Sequence, residues 1–135
     1  MKVNIIPYVK VNEIMFGMTS LEISHLIKKE PRKFRKLLDD SYETDDYGSF
    51  FIYYNDEGKC EAVEYTEDSC LELFDIPFFS INYQDLKERL LKFDENIVIL
   101  EDGLISNKYG FSIYVPDVSN LIIESVLFFA KDYWE

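Results

Sequence analysis

Phe16-Gly17-Met18-Thr19-Ser20-Leu21-Glu22-Ile23 returns further along the chain as Phe79-Ser80-Ile81-Asn82-Tyr83-Gln84-Asp85-Leu86. At this constant shift Phe16 meets Phe79, Met18 meets Ile81, Thr19 meets Asn82, Glu22 meets Asp85 and Ile23 meets Leu86. Ile27 then falls on Leu90 and Lys29 on Lys92. The pairs have a mechanical meaning. Thr and Asn are good N-caps, and an acid three residues later is placed to reach back to the cap's amide. Met18 and Ile81 precede the caps, with Ile23 and Leu86 where a hydrophobic staple would meet them. Two helices are expected, near residues 20–29 and 83–93, with apolar stripes Ile23, Leu26, Ile27 and Leu86, Leu90, Phe93. Helices this short depend on tertiary packing.

A hairpin follows each helix. Tyr47-Gly48-Ser49-Phe50-Phe51-Ile52-Tyr53-Tyr54 reads like Tyr109-Gly110-Phe111-Ser112-Ile113-Tyr114-Val115 once a single residue is gapped. The first turns through Asn55-Asp56-Glu57-Gly58, where Gly supplies positive φ, and the second through Pro116 to Asn120. The return strands align as Glu61–Tyr65 and Glu124–Phe128. A further strand is expected at Asn96–Leu100, with a fainter counterpart around Phe34–Leu38. The expected fold is α+β: tandem duplicated α-β-β units with pseudo-twofold symmetry, antiparallel sheet or sheets, and helices packed on one face. One domain, 1–135, would comprise two repeats, about 11–68 and 74–130.

Ten Tyr and eleven Phe within a 47% hydrophobic composition supply a core and favour sheet surfaces. The 26 acids outnumber 14 bases, for a net charge of -12. Nucleic-acid phosphates and anionic lipid would repel such a chain, so a basic protein is the expected macromolecular partner. Six bases lie within Lys28–Lys36, but the acidic stretch that follows directly would cancel much of their field, so local charge pairing is expected there. The start, broken at Pro7, reads as no signal peptide, and no apolar run is long enough to span a bilayer. A cytoplasmic location is expected, with Cys60 and Cys70 as free thiols.

Candidate chemistry is sparse. His25, the single histidine, aligns with Glu88 in a solvent-facing slot and has no second ligand for a zinc site. Cys60 aligns with apolar Ile123, which favours buried packing. Nucleotide-binding, nucleophile-elbow and metalloprotease motifs are absent from the sequence. No cofactor, metal or catalytic residue is expected. Asp39, Asp40, Glu43, Asp45 and Asp46, interleaved with Tyr42, read as an exposed acidic loop without calcium-loop spacing. Phe111, Ile113 and Val115 read as core-facing, so Tyr114 faces out, and the alignment puts Phe51 and Tyr53 on that outer face. A solvated face bearing aromatics suits a protein partner, the alternative being a terminal segment that covers it.

Ile6-Pro7, Phe16-Gly17-Met18-Thr19, the Asp39–Asp46 stretch, the Tyr53–Ala62 hairpin and the Ile123–Phe129 close together resemble a widespread group of small bacterial proteins. Members are regarded as immunity-like proteins encoded near secreted toxins, which implies a stoichiometric inhibitor of a toxin domain. The helix start is also similar to the helix-plus-sheet repeats of the β-lactamase inhibitor protein and of outer-membrane assembly lipoproteins, which implies architecture alone. Gly17 becomes Ser80 in the second copy. The expected function is a non-catalytic cytoplasmic protein-binding module, as a monomer or weak homodimer. Its partner-binding residues would be Asp39, Asp40, Tyr42, Glu43, Asp45, Asp46, Phe51, Tyr53 and Tyr114. The alternatives are a small hydrolase using carboxylates or Cys60, which requires a deep pocket with convergent titratable groups, and a structural or regulatory homodimer.

Overall fold

Burial alternates along Val63–Thr66 and Phe111–Tyr114 as it does in a strand with one face against a core. A computed structural model describes residues 1–117, 119 and 121–134. The chain begins with three short strands, β1 (Ile5–Ile6), β2 (Lys10–Val11) and β3 (Ile14–Met15), paired in one small antiparallel sheet. Helix α1 (Ser20–Ile27) leads into β4 (Arg32–Phe34), β5 (Thr44–Asp46), β6 (Phe50–Tyr54) and β7 (Cys60–Thr66). A 3-10 turn and the two-stranded pair β8 (Glu72–Leu73) and β9 (Ile76–Pro77) connect to helix α2 (Tyr83–Leu91). The chain continues with β10 (Val98–Leu100), β11 (Gly103–Ser106), β12 (Phe111–Tyr114) and β13 (Ser125–Phe129).

Eight of these strands form one antiparallel sheet in the order β10-β11-β12-β13-β7-β6-β5-β4. Its seam is the β7–β13 ladder, in which Ala62 to Thr66 run against Phe129 to Ser125. Directly opposed residues share a face. One face therefore carries Ile52, Val63, Tyr65, Val126, Phe128, Phe111, Ile113 and Leu104, each at most 2% exposed. Ile23 of α1, Leu86 and Leu90 of α2, and Val11 and Ile14 of the small sheet complete the same core. At Gly103, a Cβ would lie 1.8 Å from the Ile113 carbonyl oxygen, so only glycine lets β11 approach β12 this closely.

The α+β expectation is corrected. The structure is mostly β, at 34% strand and 15% helix, with two α-helices among the described residues and a large eight-stranded sheet. Duplicated α-β-β units are not what forms, because each helix is followed by four strands of the large sheet and both sets join in it. Two of the missed strands explain the error. β5 is rich in aspartate, which strands disfavour, and β11 opens on glycine, so neither looks like a strand before its neighbours are known. Both anticipated hairpins form, as β6–β7 and β12–β13. Val118 and Asn120 of the second turn lie outside the described residues. The anticipated strand at Asn96–Leu100 forms as Val98–Leu100, whereas the one expected around Phe34–Leu38 does not: β4 runs Arg32–Phe34 and shares only Phe34 with it.

The helix caps differ in one detail. Thr19 accepts from the Glu22 amide and Glu22 returns a bond to the Thr19 amide, closing a full capping box. Asn82 accepts from the Asp85 amide, but the shorter Asp85 side chain makes no return bond. Leu26, expected in the stripe, is 37% exposed, because α1 meets the core chiefly through Ile23.

Thr19→Ala is expected to cost about 1 kcal/mol in chemical denaturation. The Thr19 hydrogen bonds hold the Glu22 carboxyl below its ordinary value of 4.5. Its share of stability is therefore present above that value and lost as pH falls through the folded one. Glu22→Gln should remove this acid-side slope; an unchanged slope would show that the box does not act on stability.

Candidate functional site

The face of the sheet turned away from the core is the candidate. One register row crosses it as Asp46, Phe51, Glu64, Leu127, Ser112, Ile105 and Val98, from β5 to β10. A second row holds Thr66, Ser125, Tyr114, Gly103 and Leu100. Tyr53, Ala62 and Phe129 form a third. Phe51, Tyr53 and Tyr114 thus share this face.

They are not equally available. Tyr114 is 42% exposed. Phe51 is half-buried, with the Phe34 ring edge-on at 6.0 Å. Tyr53 donates to Glu64 Oε1 at 2.5 Å, and the Lys36 ammonium sits 4.5 Å from its ring centroid. Burial first, then the bond to Glu64, pushes the Tyr53 hydroxyl well above the ordinary phenol range. The C-terminal segment covers part of the face. Tyr133 stacks on Phe129 at 6.0 Å and Trp134 meets it edge-on at 5.6 Å, leaving Phe129 2% exposed. Trp134 itself is 57% exposed. With Glu64, Leu100, Ile105, Ser112, Tyr114 and Leu127 it lines a groove of about 340 Å³. A second groove of about 490 Å³, lined by Phe51, Thr66, Ile122 and Glu124 among others, lies on the neighbouring part of the molecule.

The acidic loop is corrected at its most telling residue. Asp45 is fully buried on β5, on the core side of the sheet. Its carboxylate accepts from Ser20 Oγ at 2.5 Å, Tyr54 hydroxyl at 2.6 Å and Lys33 Nζ at 2.7 Å. Three elements are clipped together by one carboxylate: the start of α1, the edge strand β4 and strand β6. Burying a charge this deeply requires such saturation. Burial and the bond to Asp45 raise the Tyr54 hydroxyl well above the phenol range. Asp46 is half-buried and accepts from the Gly48 amide at 2.7 Å, and Asp40 accepts from the Leu37 amide at 2.9 Å. Only Asp39, Tyr42 and Glu43 of the six are open to solvent. The expected charge pairing with Lys28–Lys36 contracts, among the described residues, to one ion pair, Lys33–Asp45.

Other acids gather where the sequence offered little sign of them. Burial, then Asp56 and Asp40, raises the Glu61 carboxyl. Burial, Glu61 and Glu64 raise the Tyr133 hydroxyl. Glu61 comes to this cluster at the irregularity in the β6–β7 register between Tyr53 and Tyr54, which no periodicity announces. Trp134 was likewise missed, since nothing in a terminal Tyr-Trp pair says which surface it covers.

The remaining candidates are scattered. His25 is exposed on α1. Cys60 and Cys70 are free, Cys60 only 2% exposed and its thiol pushed up to about 12 by burial. A larger groove, about 680 Å³, runs between the β1–β3 sheet, α1 and the core face at Phe50 and Tyr65. Among the described residues, its charged side chains are Lys10 and Glu13. Among the described residues, no three His, Cys, Asp or Glu side chains gather as metal ligands would, and no helix is long and apolar enough to cross a membrane. No family model matches this chain, and no curated protein or solved structure matches it.

Asp45→Ala would leave the Lys33 ammonium, the Ser20 hydroxyl and the Tyr54 hydroxyl without their acceptor. The expected loss is about 3 kcal/mol of unfolding free energy, and a loss under about 1 kcal/mol would show that the clip relaxes onto water. A maleimide or iodoacetamide time course at pH 8 should modify Cys70 rapidly and Cys60 only after denaturant is added. Equal rates in the native protein would mean that the β7 start opens freely.

Proposed function

We propose that this chain is a non-catalytic protein-binding module, an immunity-type inhibitor that occludes a basic toxin domain with the outer face of its sheet. One observation carries this reading: Tyr114, Leu100 and Trp134, 42%, 41% and 57% exposed, surround one groove on the face opposite the core. Aromatic anchors beside a groove are the usual energetic centre of a protein interface. Two carboxylates, Glu64 and Asp102, line the groove, and Glu61 stands close enough to Tyr133 to raise its hydroxyl. The net charge of -12 favours a basic partner over nucleic acid or anionic lipid. The immunity-type reading is supported by the sequence resemblance given above. The groups expected to meet a partner are revised accordingly. Asp45 is committed inside and Tyr53 is engaged with Glu64, so Tyr114 and Trp134 take the leading place.

The test uses the partner captured from the native host on the immobilised chain and identified by mass spectrometry. Titrated against Tyr114→Ala and Trp134→Ala, it should lose about 2 kcal/mol of affinity in each case, with an unchanged melting temperature in Tyr114→Ala. Its association rate should fall steeply with added salt. Full affinity in both variants would move the contact off this face.

A further inference from the structure

The two edges of the eight-stranded sheet differ in chemistry. β4 ends the sheet with Arg32, Lys33 and Phe34, followed by Arg35 and Lys36. Basic side chains are a common guard on an open edge, because they resist burial against another strand. β10 ends the other side with Val98, Ile99 and Leu100, exposed to 43%, 51% and 41%. It carries no charge and no proline. Among the described residues nothing pairs with its outer side, so alternate amide and carbonyl groups face solvent beside apolar side chains. The edge is also held in place. Leu100 pairs with Gly103 across a tight turn, and the Val115 amide donates to the Asp102 carbonyl at 2.7 Å.

Charge narrows what fits there. Glu95, Glu101 and Asp102 flank the strand, all exposed, and no base occurs between Phe93 and Asn107. Two copies paired antiparallel through β10 would bring Glu95 of one toward Glu101 of the other, which like-charge repulsion opposes. Pairing with β4 of another copy would form an open chain of molecules each carrying -12, and Lys33 is already held by Asp45. An extended segment with basic flanks meets none of these penalties. Side chains added on the outer face would continue into the groove that Leu100, Ile105 and Trp134 line.

We propose that β10 binds, by strand addition, an extended segment of a partner protein whose alternating apolar side chains are flanked by lysine or arginine. This rests on the protein-binding reading above and adds the strand that makes the backbone contact.

The full chain is titrated with a labelled peptide of alternating valine and threonine carrying paired lysines at each end. Two controls replace the lysines with glutamates or N-methylate alternate backbone amides. The lysine peptide should bind, the glutamate peptide about tenfold or more weakly, and the N-methylated peptide not at all. Val98→Lys, which places a guard on the exposed edge, should weaken the lysine peptide about tenfold at an unchanged melting temperature. Undetectable binding of the lysine peptide, or equal binding of the N-methylated one, overturns the inference. So does a dimer in sedimentation that dissociates in Val98→Lys, since the edge would then belong to a second copy. If the captured partner loses affinity in Tyr114→Ala but keeps it in Val98→Lys, the protein-binding reading stands and the strand-addition inference falls.

Discussion

The five residue pairs of the β7–β13 ladder join strands that are distant in sequence, and the rest of the molecule depends on that seam. Val63 opposes Phe128 and Tyr65 opposes Val126, so each crossing places apolar side chains on the core face. Fully burying a side chain such as Phe128 contributes about 1.5–3 kcal/mol. A one-residue slip would turn those side chains to the other face. The register is therefore set by burial, and it orients every strand outward to β10 and β4.

Polar groups trapped by this arrangement are answered individually. Asp45 draws a hydroxyl from α1, a hydroxyl from β6 and an ammonium from β4, closing the β4 side of the sheet. On the other side, Asp94 is 4% exposed and accepts from Ser106 Oγ at 2.8 Å and the Asn96 amide at 3.0 Å. Each carboxylate ties the segment leading to or forming an edge strand to strands nearer the centre. Such buried networks are worth little beyond the apolar alternative in net stability, but they are costly to break. They confine each edge to one arrangement.

The outer face is governed by what is left over. Helices and the small sheets draw on the core side, while Tyr133 and Trp134, with Tyr8, Phe34 and Lys36, lean across parts of the other. What remains exposed is a band of Tyr114, Leu100, Val98 and Trp134 with carboxylates at its margins. The terminal segment covers Phe129 and stops short of Tyr114.

Sequence by itself determined the local features. The Thr19 and Asn82 caps, the two hairpins and the outward face of Tyr114 follow from capping chemistry, turn residues and period-two alternation, which act within a few residues. Tertiary structure decided the rest. An aspartate stretch became strand β5 because Ser20, Lys33 and Tyr54, from three separate elements, converge on Asp45. The eight-stranded sheet, and with it the mostly β class, arose because β7 meets β13. Local propensity reports how a strand prefers to lie, whereas which strand it lies against is set by the shared burial of side chains far apart in the chain.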